Sequence, residues 1–120
     1  MNIAIALAAA LAALTTLVHV FLGGPEIMPH IRNSDLPKPV RAVSDVVWHG
    51  VTVALAVSAV ALGWLAFNSN VPLLWAVCAI QLGFACLFLW YGITQLRSIK
   101  VLPQWTVFLA VPALALFGAG

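Results

Sequence analysis

Four long apolar runs, Ile3 to Leu22, Val46 to Phe67, Leu73 to Leu96 and Trp105 to Gly118, occupy most of this chain and leave it few ways to fold. A helix needs about 20 mainly apolar residues to cross the hydrocarbon of a bilayer. The first three runs meet that length and the fourth, the shortest, approaches it. Their Ala- and Leu-rich composition, their length and the lack of clean alternation argue against barrel strands. The expected fold is therefore all-α: a four-helix bundle in a membrane, forming one domain over residues 1–120. Composition agrees, since 64% of residues are hydrophobic and 7% charged, whereas about a quarter of the residues of a soluble domain are charged. The five Lys and Arg and the net charge of +2 are too few and too dispersed to track phosphates, which argues against nucleic acid as a partner.

The first run is read as a retained span. No Lys or Arg precedes it, and its apolar stretch exceeds a typical signal core. Arg32, Lys38 and Arg41 fall between spans one and two, Arg97 and Lys100 fall between spans three and four, and the Asn68-Ser69-Asn70 turn carries no positive charge. The positive-inside rule then places both basic loops in the cytoplasm and both termini outside, which suits a bacterial inner membrane. The tryptophans fit interfacial belts, with Trp48, Trp90 and Trp105 at the cytoplasmic ends and Trp64 and Trp75 at the outer ends.

The first loop has internal structure of its own. Gly23 and Gly24 are expected to end helix one, and Pro25, with Glu26 beside it, to start a short interfacial or re-entrant helix through Arg32. Asn33 to Pro39 reads as a turn. Pro39 suits the first turn of helix two, which would then extend into the cytoplasm through Arg41 and Asp45.

His19 and His49 stand near the ends of spans one and two at about the same depth, and they are the candidate site. Two imidazoles at matched depth on antiparallel helices suit axial ligation of haem iron, or two of the ligands of a transition metal with Glu26 or His30 completing the shell. Arg41, Asp45 and His49 recur at i, i+4 and i+8, so on one helix they share a face. Asp45 is placed to accept a ring N–H of His49, as carboxylates do for metal-ligating histidines. Thr15 and Thr16 beside His19, Thr52 beside His49, and Tyr91, Thr94 and Gln95 at the end of span three gather most of the intramembrane polar groups in the same half of the bilayer. Such groups are costly in lipid and tend to face the bundle interior, a cavity or the headgroups. The bland alternatives are a surface ion pair for Asp45, packing for His19, and a charge favourable to the helix dipole for Glu26.

Cys78 and Cys86, eight residues apart on one helix, are separated by about 12 Å of rise, too far for a disulfide, and read as small buried hydrophobes. Gln81 is expected to hydrogen-bond between helices or between protomers. Ala4-Ala8-Ala12, Ala59-Gly63 and Ala79-Gly83 form small-xxx-small ridges for close helix packing. Four thin helices bury little interior, so a homo-oligomer or a place in a larger membrane complex is expected. Pro112 should kink span four or loosen its backbone.

The run His19-Val20-Phe21-Leu22-Gly23-Gly24-Pro25-Glu26-Ile27, followed by Trp48-His49, resembles small uncharacterised bacterial four-span proteins that place a histidine, a glycine and an acidic residue after helix one and a tryptophan-histidine pair at the start of helix two. In that pattern glycine and acid adjoin, whereas here Gly24 and Pro25 separate Gly23 from Glu26. The resemblance implies the fold and no activity. Small multidrug transporters have the same size and span count but carry a glutamate in helix one, where this chain has no acidic residue. Three readings stand at this point: a haem- or metal-binding membrane protein using His19 and His49, an accessory subunit of a larger complex, and an oligomeric transporter or proton-linked channel. An enzyme is disfavoured, because no nucleophile and base occur at useful spacing.

Overall fold

The computed structural model describes all 120 residues and contains helices and no strand. The helices are α1 (Ile3–Val18), α2 (Gly24–Arg32), α3 (Lys38–Leu65), α4 (Val71–Thr94) and α5 (Trp105–Ala119), with a π-helical segment, His19–Gly23, between α1 and α2. Three helical stretches are long and apolar enough to cross a membrane: Ile3–Arg32, in which α1, the π segment and α2 run on as one rod, then α3 and α4. The fourth, α5, has 15 residues and falls short of that length by itself. The longest dimension is 50 Å, comparable with a bilayer including its headgroups, about 40–45 Å.

The pattern of burial is that of a chain built for an apolar solvent. Only 19 of 120 residues are buried, while Val53, Val57 and Val60 on α3 and Leu87 and Ile93 on α4 stand exposed. In water such surface would drive association; against lipid tails it costs nothing.

Helix α1 is the hub. It packs along α3 on one side and α5 on the other, α5 packs on α4, and α4 touches α3 only lightly. Ala8 and Ala12 of α1 and Ala115 of α5 are buried, so the ridge expected on helix one does hold a close helix contact. The Ala79-Gly83 ridge does not, and of the Ala59-Gly63 ridge only Ala59 packs against the core. Ala79 and Gly83 are exposed, and nothing lies within 4 Å of where a Cβ on Gly63 or Gly83 would be. The spacing matches the packing pattern, but the face of α4 that carries Ala79 and Gly83 points away from the neighbouring helices.

Asn2 joins three helices at the end away from the basic loops. Its side chain caps α1 by accepting from the Ile5 N–H at 3.1 Å, its amide nitrogen donates to the Gly118 carbonyl at 2.6 Å, and its backbone N–H donates to Ala66 at 2.7 Å. This is an N-cap that also staples neighbours. Gly118 makes it fit, because a Cβ there would lie 2.6 Å from Asn2 Oδ1 and 3.0 Å from Ala4 Cβ.

One expectation fails at the end of helix one. Gly23 and Gly24 do not terminate it; both keep right-handed helical angles and the rod continues to Arg32. A glycine ends a helix when it adopts positive φ, and here no glycine does. These two instead serve contact, as described below. The expected turn at Asn33 and the start of α3 with Pro39 in its first turn are both present.

Gly118→Ala is expected to destabilise the bundle by about 1–3 kcal/mol through overpacking. Gly83→Ala, placed in open space, should be neutral or stabilising by up to about 1 kcal/mol. Unfolding titrations of both variants in mixed micelles give the comparison, and equal effects would contradict the α1–α5 contact.

Candidate functional site

The two histidines do different things. The His19 ring stacks on the Trp48 indole, with centroids 4.2 Å apart and planes 16° from parallel. Its Nε2 lies 3.2 Å from the Trp48 carbonyl oxygen. A carbonyl only accepts, so Nε2 carries the proton and the tautomer is fixed. Thr52 Oγ1 donates to the same carbonyl at 3.2 Å. A Cβ on Gly23 would touch the far edge of the indole at 3.4 Å, and one on Gly24 would lie 3.7 Å from Trp48 Nε1. The glycine pair thus gives Trp48 a smooth wall, and His19 covers one ring face.

The π segment accompanies this contact. A π turn inserts one extra residue into the helical ladder, and it begins at His19. The Gly24 N–H, which in an α-helix would serve Val20, is given to the His19 carbonyl. The next N–H in line would be that of residue 25, which is proline and has none. The carbonyl of Val20 is therefore left without a helical donor at either i+4 or i+5. Pro29, inside α2, likewise removes the i+4 donor of the Pro25 carbonyl.

These residues border an open cleft of about 300 Å³ between α2 and α3, lined by Val20, Gly24, Pro25, Met28, Pro29, Arg32, Trp48, His49 and Thr52. His49 lines it as an exposed imidazole that forms no hydrogen bond, and His19 is not part of the lining. Arg32, one of the lining residues, is held by an ion pair that the sequence did not suggest. Arg32 Nε and Nη2 both donate to Asp45 Oδ1, at 3.0 and 2.7 Å, and Arg41 Nη1 donates to the Arg32 carbonyl at 2.9 Å. Arg32, not His49, is the hydrogen-bond partner of Asp45. The signal was present in the sequence only as a basic residue at the end of a helix whose continuity was not foreseen.

Asp45 precedes the apolar run of α3. The hydrogen bond from Arg32 holds its carboxyl below its ordinary value against the opposing effect of desolvation, with the charges of Arg32 and then His49 adding smaller contributions, and the same pair raises Arg32. Both side chains are substantially exposed, so the pair positions α2 more than it stabilises the fold.

The remaining candidates lie apart from the cleft. Thr15 and Thr16 donate to the carbonyls of Leu11 and Ala12 in their own helix. Glu26 and His30 are exposed on α2 and make no ion pair, and Tyr91 is exposed on α4 without a hydrogen bond. No three His, Cys, Asp or Glu side chains come together as a metal shell. Cys78 is buried as expected, but Cys86 is exposed because it sits on the outward face of α4. Gln81 is buried inside the chain, and its Nε2 has no hydrogen-bond partner on a neighbouring helix.

No protein-family model, curated protein or solved structure matches this chain.

Two outcomes follow from the contacts. His19→Ala should destabilise by about 2 kcal/mol, losing both the stack and the hydrogen bond, and His19→Phe, which keeps an aromatic ring, by about 1 kcal/mol; equal losses in micelle unfolding would discount the stack. The Arg32–Asp45 contact should hold at neutral pH and through the ordinary carboxylate range near about 3.9. Because the folded value is depressed, its contribution is complete above that range and is lost as pH falls through the lower folded value. Hydrogen exchange of α2 amides against pH would show this, with Asp45→Asn removing the dependence.

Proposed function

We propose that this chain is a small integral membrane binding protein whose ligand sits in the α2–α3 cleft against His49. One observation carries the reading: an unpartnered imidazole lines a cleft whose opposite wall is a helix interrupted by a π turn and two prolines. Interrupted backbone at membrane depth is tolerated where it is buried in protein or lines a cavity, and π turns inside helices often mark functional sites. His19 is a positioning residue, since it fixes Trp48 and with it the neighbouring His49. The Arg32–Asp45 pair holds the helix wall in place. The five basic residues lie at the same end of the bundle, so the positive-inside rule puts the cleft at the cytoplasmic face, with α2 reaching the interface and a bacterial inner membrane as the setting.

Haem or a transition metal is the ligand class the histidine pair suggests. In that form of the reading His49 supplies the first ligand, and a second imidazole comes either from His19 after it leaves the Trp48 carbonyl or from a second copy of the chain.

An optical spectrum and elemental analysis of gently purified protein test this reading, together with titration by cobalt and haemin. The expected result is a bound chromophore, metal or saturable probe that His49→Ala abolishes and that His19→Phe weakens. Identical binding by His49→Ala would refute the assignment of the cleft.

A further inference from the structure

The middle of the bundle carries two polar side chains that have no part in the α2–α3 cleft. Ser58 on α3 and Gln81 on α4 are each 1% exposed, and neither Ser58 Oγ nor Gln81 Nε2 has a hydrogen-bond partner. Ser58 departs from the habit of this chain. Thr15, Thr16, Ser44, Thr52 and Thr94 each donate to the carbonyl four residues earlier in their own helix, whereas Ser58 makes no such bond to Ala54. Ser58 and Gln81 also stand at one depth. Ile5, Leu65, Leu74 and Gly118, one from each of α1, α3, α4 and α5, border the same hollow at the end away from the basic loops. Seven residues further in along each helix, about 10 Å of rise, come Ala12, Ser58, Gln81 and Val111, all of them buried. The apolar core divides around the two polar members: Leu62 and Cys78 belong to the cluster on one side, Leu55 and Ala85 to the cluster on the other.

We infer that this layer is a binding site for a water molecule, held between Ser58 Oγ and Gln81 Nε2. Buried polar atoms without partners are costly, the more so at membrane depth where no bulk water reaches them. Internal waters are found where such groups converge. The chemistry of the layer selects the ligand. Every Asp, Glu, Lys and Arg of the chain falls within residues 26–45 or 97–100, so an ion in this layer would have no compensating charge. The ligand is therefore neutral. It must accept, because Gln81 Nε2 only donates, and it must be small, because the layer is enclosed on all four helices. Water accepts from the Gln81 Nε2–H and donates to Ser58 Oγ, and the Ser58 proton is then free to turn to the Ala54 carbonyl.

Water-edited solid-state NMR of the full chain in bilayers tests this, by following transfer of magnetisation from water to the Gln81 side-chain amide. The exposed Asn68 side-chain amide is the hydrated reference, and the backbone N–H of buried Leu62, one turn of helix from Ser58, is the dry one. Transfer to Gln81 should be several-fold faster than to Leu62, and Ser58→Ala, which removes one of the two partners, should slow it at least twofold. Thermal unfolding midpoints in detergent give an independent readout. Ser58→Ala and Gln81→Met should each lower the midpoint, because each leaves the other group without its bridge. The double variant should lose less than the two single losses together. A Gln81 amide as dry as Leu62 would overturn the inference, whether Gln81 then bonds Ser58 directly or has no partner. Transfer that Ser58→Ala leaves unchanged, or a midpoint that Gln81→Met raises, would overturn it as well.

Discussion

The docking of Trp48 against helix one is the contact on which the half of this molecule that holds the cleft depends. An indole needs a flat surface and a partner for its face, and the chain supplies both within six residues: His19 for the ring face and Gly23 with Gly24 for the edge. The same contact brings the His19 Nε2–H to the Trp48 carbonyl. Antiparallel neighbours in lipid gain little from burying apolar surface, since the tails are as apolar as the side chains, and they rely on close packing and hydrogen bonds. At the far end of the bundle Asn2 plays the equivalent part, tying α1 to α3 and α5. Between these two fixed points the helices meet through alanines.

That arrangement gives the break in helix one a physical rationale. The helix cannot be regular where Pro25 and Pro29 withhold N–H groups, and in hydrocarbon an unsatisfied carbonyl costs several kcal/mol, on the order of the whole stability of a small domain. The π turn moves the Gly24 N–H to His19, and Val20 and Gly24 beside it border the cleft. Arg32, Asp45 and Arg41 then clamp the continuation of the helix alongside α3. The backbone irregularity, the glycine pair and the ion pair thus all serve the placement of one wall beside His49.

Much of the architecture was legible in the sequence because the apolar runs leave no alternative to helices, and the starts of α3 and α5 followed from Pro39 and Trp105. The end of helix one was misread. Gly-Gly-Pro is a strong stop signal in water, where a glycine is freed to adopt positive φ, but contact with Trp48 holds both glycines helical. The candidate site was half legible. His49 and Thr52 do border the cleft, whereas the contact of Trp48 with helix one was hidden behind its fit to an interfacial belt. The Asp45–His49 pairing expected from i, i+4 spacing gave way to Arg32, a donor from another helix whose two nitrogens outcompete one imidazole for the same oxygen. Spacing on one helix says which groups are neighbours. It does not say which partner arrives from across the bundle.

The most direct test of this account is solid-state nitrogen NMR of histidine-labelled protein in bilayers, reading the tautomer and water exchange of the three imidazoles separately. The account predicts that His19 is protonated at Nε2 and exchanges slowly, held against the Trp48 carbonyl, while His49 and His30 exchange rapidly with water. A His19 ring that exchanges as fast as His30, or that carries its proton only at Nδ1, would contradict the docking of Trp48 and the cleft built on it.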